Sequence, residues 1–284
     1  MTENYICING AFYKVVKAPL NQLNRGFHYG DGIFETIHAN GTEPQFIDLH
    51  IERLIKSMGL LKMNIPEYYT KSKFTSFIKG LLTRNKHFRG ARIRITVFRN
   101  NGGLYAPEEN NVTFVIESAA LEQDTYRLNE QGFRTEIFPD ILKPVNVLSS
   151  LKTTSALLFV MAGIFRLENG WDDCIILNQH KKICESISSN IFVRKGDMFY
   201  TPSLAEGCLA GIMRGVIMEC IRQEKFLVDD NCSLTSEDLL LADELFLTNA
   251  VTGIRWIVAF GQRRYYNKSS KLLIEKLNKR AFGS

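Results

Sequence analysis

ICESISSNIFVRKGDMFYTPSLAEGCLAGIMR, residues 183–214, is the stretch whose reading decides the fold. Glu185 stands near its start, followed by a polar cluster of Ser186, Ser188, Ser189 and Asn190. Apolar runs at 191–193 and 198–200 flank the turn Lys195-Gly196-Asp197, a pattern that predicts a strand hairpin. A loop containing Pro202 and Gly207 then reaches Gly211. Beyond it Ile212, Val216, Ile217, Cys220 and Ile221 recur at helical spacing. The first N–H groups of a helix lack intrahelical partners, and the helix dipole favours negative charge there. A glycine-led helix start is therefore a cradle for an anion such as phosphate. The stretch offers one carboxylate, Glu185, and one candidate anion site, at Gly211.

At 284 residues the chain is long enough for a substantial core and for two domains. Its 45% hydrophobic and 23% charged residues are ordinary for a globular protein. The net charge of +5 comes from dispersed Lys and Arg. That argues against a nucleic-acid partner and fits an anionic cofactor or substrate. Six cysteines show no CxxC spacing, and with the five histidines they form no cluster at ligand spacing, so no metal site is expected. No apolar run approaches the roughly 18 residues of a membrane span, and no signal-like segment opens the chain. These features point to a cytoplasmic protein with free thiols and no membrane partner.

Upstream of the central stretch, Thr153, Thr154 and Ser155 stand where helix caps belong. Ala156, Leu157, Val160, Ile164 and Leu167 follow at helical spacing, and Gly170 stops the run. Lys152 lies just before this apolar helix, where partial desolvation favours its neutral amine. A strand is predicted at 133–137. Downstream come a strand at 226–228, a capping signature at Thr235, and a strand at 244–248. The segment TNAVTG (248–253), a strand at 257–260 and an amphipathic helix at 268–280 complete this half.

The first part of the chain opens with a hairpin, 5–8 and 11–16, about Asn9-Gly10. RGFHYGDGIFETIHANG (25–41) holds a glycine-flanked turn at Asp31 and a strand at 33–37. Asp48 is placed to cap an amphipathic helix that contains HIERL (50–54), and a second helix is predicted at 71–85. Alternating strands at 92–99 and 112–116 enclose RNNGGLYAP (99–107), a loop whose glycines and proline suggest function.

Together, ExxxSNIF from Glu185, the KGD turn, the following TP and GxxxGIMR resemble the signature of class IV aminotransferases. These are the fold-type IV pyridoxal-phosphate enzymes: branched-chain aminotransferase, D-amino acid aminotransferase and aminodeoxychorismate lyase. The HxxRL pattern of His50–Leu54 resembles the same family. The resemblance implies an α+β, two-domain fold. A small N-terminal α/β domain would span 1–118, a linker 119–125, and a larger β-rich cofactor-binding α/β domain 126–284. It implies pyridoxal 5'-phosphate as cofactor, with Lys152 holding it covalently and shuttling the substrate α proton. Glu185 would pair with the pyridine nitrogen. Arg53, Gly211, the amides of Ile212 and Met213, and the turn at Thr248 and Asn249 would surround the phosphate, with Ser189 and Asn190 beside them. Two departures matter. Met213 stands where Thr is frequent and supplies an amide but no hydroxyl. Ala250 stands where transaminase members place a hydroxyl residue, so Thr248, Asn249 or a backbone amide must substitute.

The resemblance also implies a homodimer, in which Tyr29, Tyr105 and the 99–107 loop serve either subunit's site. D-amino acid aminotransferases carry Arg-x-His in that loop, where this chain reads Gly103-Leu104-Tyr105. Branched-chain enzymes carry an Arg where this chain has His38, and GTA where it has TNA. TNA, the RKGD turn followed by YTP, GIMR, and the paired glycines after Arg99 lean toward the lyase. That enzyme removes pyruvate from aminodeoxychorismate and leaves 4-aminobenzoate for folate synthesis. On this reading Tyr29, His38, Arg99 and Tyr105 are substrate-binding candidates, Arg99 for a carboxylate. The alternative is a branched-chain or related aminotransferase using 2-oxoglutarate.

Overall fold

The computed structural model describes residues 4–20 and 24–283. They fall into two compact units. One runs to Thr125 and takes in Lys152–Ser155; the other holds Tyr126–Leu151 and everything from Ala156 onward.

The first unit contains β1 (Tyr5–Ile8), β2 (Ala11–Lys14), α1 (Arg25–Tyr29), β3 (Gly32–Asn40), β4 (Glu43–Pro44), α2 (Ile47–Leu60), α3 (Lys71–Arg84), β5 (Ala91–Arg99) and β6 (Val112–Ala120). Its sheet is antiparallel throughout, in the order β2-β1-β6-β5-β3-β4. Side chains alternate across a strand, so the sheet has two distinct faces. Ile33 and Ile37 of β3, with Ile93, Ile95 and Val97 of β5, join the core that the apolar stripes of α2 and α3 cover. Phe34, Thr36, Arg94, Thr96 and Phe98 take the opposite face. Asp48 is not a cap; Phe46 holds that place in a left-handed conformation, and Asp48 lies in the first turn, where the helix dipole favours it.

The segment Lys152–Ser155 does not begin a helix. It pairs with β3 through an antiparallel bridge between Ile33 and Thr153. Phe34 N–H donates to the Lys152 carbonyl at 2.8 Å, and Thr154 N–H to the Gly32 carbonyl at 2.9 Å. Gly32 permits this approach: a β-carbon there would lie 2.9 Å from the Val97 carbonyl oxygen and 3.2 Å from Thr154 Oγ1. Lys152, expected in the second domain, thus groups with the first unit.

The second unit contains β7 (Phe133–Ile137), α4 (Leu157–Glu168), β8 (Asp173–Leu177), β9 (Ile183–Ser186), β10 (Asn190–Lys195), β11 (Met198–Pro202), α5 (Ile212–Gln223), β12 (Leu227–Cys232), α6 (Ser236–Leu240), β13 (Glu244–Asn249), β14 (Gly253–Phe260), β15 (Arg263–Arg264) and α7 (Lys268–Phe282). Its sheet runs β12-β11-β10-β13-β14-β7-β8-β9, with β15 on β14. β10 and β11 form the hairpin predicted around Gly196. Leu245 and Leu247 of β13 enter one core; α5 and α7 pack against the strand, where Phe246 stacks on Phe192 of β10. Helix α4, expected as an apolar run from Ala156 to Leu167, packs Leu158, Phe159 and Phe165 on β8 but leaves other apolar side chains outward. Leu157 is 78% exposed, Val160 53% and Leu167 71%, and Ala162 is its one fully buried residue.

Among the described residues no helix is long and apolar enough to cross a membrane, and no group of three or more His, Cys, Asp or Glu is placed to hold a metal ion.

Candidate active site

In the first unit, alternation along β3 turns Glu35 toward α2. There Arg53 grips its carboxylate with two parallel bonds, Nε to Oε1 at 2.7 Å and Nη2 to Oε2 at 2.5 Å. His50, one helical turn earlier, meets Oε2 through Nδ1 at 2.6 Å. Burial opposes ionisation of Glu35, but the charge of Arg53 and the bond from His50 outweigh it and hold the carboxyl at about 2. Burial also depresses the His50 pKa, against the pull of Glu35, so the ring is neutral and Nδ1–H donates. Arg53 is thereby fixed in direction by a buried anion. The sequence pattern HxxRL marks Arg53 but gives no sign of Glu35 as its partner.

Lys152 Nζ lies 4.5 Å from the centroid of the Phe34 ring, and the Arg94 guanidinium lies 3.7 Å from the same centroid. Two cations thus share one aromatic ring on the face of the sheet turned away from α2. Burial lowers the Arg94 pKa from its ordinary value. Arg94 was hidden in the sequence as one of several alternating strand residues.

The other substrate-binding candidates fare differently. Arg99 is built into the fold: Nε donates to Asp31 at 3.0 Å, Nη1 to Asn110, and Nη2 to the Leu61 carbonyl at 2.8 Å. Its place is structural, not the presented carboxylate ligand that the loop context suggested. His38 is buried, with Nε2 on the Asp124 carbonyl at 2.9 Å, so it ties β3 to the end of this unit. Tyr105 is 89% exposed, and its ring lies 5.6 Å from that of Tyr29. The loop that carries Tyr105 is clamped by Arg25, a residue that no motif singles out. Arg25 Nη1 donates to the carbonyls of Gly102 at 3.1 Å, Gly103 at 3.3 Å and Leu104 at 2.5 Å, and Nη2 to that of Tyr105 at 3.4 Å. Its Nε shares Asp31 with Arg99.

In the second unit, Glu185 lies on β9 and is buried. Its Oε1 accepts from Lys143 Nζ, and its Oε2 from Leu209 N–H at 3.0 Å. Lys143 is a partner that the motif did not reveal. Asn190, opposite Thr248 in the β10–β13 register, donates through Nδ2 to the Leu209 carbonyl at 2.8 Å. Ser189 Oγ accepts from Asn249 Nδ2 at 3.0 Å. Asn249 Oδ1 in turn accepts from the N–H groups of Val251 and Thr252, at 3.0 and 2.9 Å. Ser189, Asn190, Thr248 and Asn249 are therefore one connected group at the ends of paired strands.

Helix α5 starts at Ile212 with Gly211 as its N-cap, and no side chain caps it. A β-carbon on Gly211 would lie 1.9 Å from Asn190 Oδ1. Only glycine admits that approach. Met213 is buried, so it contributes its amide and packs its side chain inward. Among the described residues Thr248 Oγ1 is buried without a hydrogen-bond partner. An uncapped helix start and an orphaned hydroxyl on neighbouring elements suit an anion's oxygens. The donor set therefore fits a phosphate group.

Residues 32–260 match the family model described as amino-transferase class IV. Over 276 residues, 97% of this chain and 94% of the relative, the sequence is 30% identical to a Methanocaldococcus jannaschii protein provisionally named a branched-chain-amino-acid aminotransferase. It is also 30% identical over 264 residues to the aminodeoxychorismate lyase of Bacillus subtilis, covering 88% and 84% of the two chains. In fold it resembles the branched-chain aminotransferase of Thermoproteus uzoniensis, with a TM-score of 0.88 at 21% identity over 98% and 94% of the chains.

Proposed function

Because this chain belongs to the class IV amino-transferase family of pyridoxal-phosphate enzymes, we propose that it is a lyase of the aminodeoxychorismate type, releasing pyruvate and leaving 4-aminobenzoate. The observation that carries this reading is the late turn. Its TNA sequence is organised by the Asn249 side chain, bonded to Ser189, Val251 and Thr252, whereas branched-chain members read GTA there. The 30% identity to the B. subtilis lyase supports it.

When bound, pyridoxal phosphate supplies an electron sink for negative charge at the substrate α carbon. Lys152 would hold the cofactor through its amine and would carry the α proton. Glu185, a buried carboxylate, would favour the protonated form of the ring nitrogen. Arg53, its guanidinium aimed by Glu35, would take a phosphate oxygen. The N–H groups of Ile212 and Met213 at the uncapped α5 start would take others, and the orphaned Thr248 Oγ1 would donate to one. Arg94, beside Lys152 on the Phe34 ring, is a better partner for a substrate carboxylate than Arg99, whose donors hold Asp31, Asn110 and Leu61. A second copy covers the outward apolar side chains of α4, making the enzyme a homodimer.

Purified holoenzyme given aminodeoxychorismate should release pyruvate with no 2-oxo acid added. Strict dependence on 2-oxoglutarate, with glutamate formed, would replace the lyase by the aminotransferase that the M. jannaschii relative suggests. Borohydride reduction should fix the cofactor to the peptide carrying Lys152, and a Lys152→Ala protein that still gains the label would remove Lys152 from this role. Light scattering should give a dimer for the native chain and a monomer for Val160→Glu; a native monomer contradicts the dimer.

A further inference from the structure

The Lys143–Glu185 pair is the least expected feature of the second unit. The Lys143 backbone is pinned at the end of β8: its N–H donates to the Leu177 carbonyl at 2.8 Å, and its carbonyl accepts from Gln179 N–H at 2.9 Å. Its side chain is buried, with Nζ bonded to the Ser149 carbonyl at 2.9 Å and to Glu185 Oε1. Ser149 is itself held, because its Oγ donates to the Pro144 carbonyl at 2.7 Å and accepts from Asn146 N–H at 2.8 Å. The lysine is thus a fixed cation on a rigid turn.

Glu185 is equally constrained. Leu209 N–H holds its second oxygen, and β9 pairs it with Ile176 of β8. A buried carboxylate requires a cation nearby, and Lys143 supplies one. Each carboxylate oxygen has two lone pairs, so Glu185 can accept one more donor on each. The other titratable neighbours add little competing charge. Cys184 and Cys208 have thiols pushed up by burial, Cys208 to about 11, so both are neutral; Glu206 and Arg214 are the other charges acting on these thiols.

We propose that Lys143 is a positioning residue that shares the Glu185 carboxylate with the cofactor's ring nitrogen, locks its rotamer, and weakens the ring nitrogen's hold on its proton. The proposal rests on the assignment of Glu185 to that nitrogen. Two cations on one buried carboxylate repel each other, and the interaction is strong where water is excluded. Lys143 therefore sets how much positive charge the ring carries at a given pH. A lysine that only filled space beside Glu185 would leave ring protonation unchanged.

The test uses holoenzyme reconstituted with pyridoxal phosphate labelled with 15N in the ring, and follows the ring-nitrogen chemical shift against pH. Lys143→Gln keeps a hydrogen-bond donor without the charge. It should raise the titration midpoint by about one pH unit or more. Lys143→Arg keeps the charge and should stay near the native midpoint. Equal midpoints for native, Gln and Arg proteins overturn the proposal. Should the Gln protein fold poorly, Lys143→Met provides the same uncharged comparison. Glu185→Gln separates the underlying assignment: it should lower the midpoint, and no change there removes Glu185 from the ring nitrogen and the proposal with it. Native-like midpoints confined to the Lys143 variants, with a shifted Glu185→Gln, overturn the role of Lys143 alone.

Discussion

Glu35→Gln removes one charge and almost no volume from the His50–Glu35–Arg53 cluster. In the native chain the Glu35 carboxyl falls from its ordinary 4.5 to about 2: burial pushes it upward, and Arg53 and His50 more than compensate. That drop corresponds to about 3 kcal/mol favouring the ionised, folded state. Breaking a buried pair by removing one partner costs about 3–5 kcal/mol in general, so the two arguments agree. Because the folded pKa is depressed, this stability is fully present above pH 4.5 and is lost as the pH falls toward 2. About half should remain near pH 3.3. Urea unfolding of native and Glu35→Gln protein, both freed of cofactor to avoid linkage to binding, should differ by about 3 kcal/mol at pH 7. The gap should close as the pH is lowered. A gap below about 1 kcal/mol at pH 7, or one that does not change between pH 7 and pH 3, would refute the reading of Glu35 as the buried anion that aims Arg53.

Asp173 tests the opposite sign. Burial raises its carboxyl from 3.8 to about 6, against bonds from Cys174, Ile187 and Ser186, so its penalty is absent below 3.8 and complete above 6. Asp173→Asn should gain about 2–3 kcal/mol at pH 8 and nothing at pH 3.5 in the same unfolding assay; a gain equal at both values contradicts the burial argument. Thr248→Val removes the orphaned hydroxyl. The apo chain should gain up to about 1 kcal/mol in thermal or urea unfolding, while cofactor titration should show roughly tenfold weaker binding; unchanged affinity would take Thr248 out of the phosphate site. Arg25→Gln should release the loop it clamps. Hydrogen exchange at 102–105 should accelerate at least about tenfold, and protection equal to native would show that the clamp is dispensable.

The amino-acid pattern alone determined the local pieces and the family. Alternation and turn residues placed the β10–β11 hairpin about Gly196, and helical spacing placed α2, α3, α5 and α7. These signals are local, because they depend on residues a few positions apart that share one strand or helix face. The same locality explains what was missed. Thr153–Ser155 look like caps in one dimension, but β3 offers them an antiparallel partner that is distant in sequence, and Gly32 leaves room for it. α4 is apolar on more than one face: Leu158, Phe159 and Phe165 pack on β8, while Leu157, Val160 and Leu167 stay outward, a division that spacing alone did not assign.

Of the candidate site, the sequence named Lys152, Glu185 and Arg53 by order and spacing, but it could not name what holds them. Glu35 reaches Arg53 only because two-residue alternation on β3 turns it toward α2. Lys143 reaches Glu185 because the 143–149 turn folds back at the end of β8. Arg99 and His38 look available in a string of letters, yet the fold spends their donors on Asp31, Asn110, Leu61 and Asp124. Residue types and their order carry the chemistry a site can perform. Which charges are paired, and therefore which are left to act, depends on contacts between strands and helices far apart in the chain. Only the folded tertiary structure decides those.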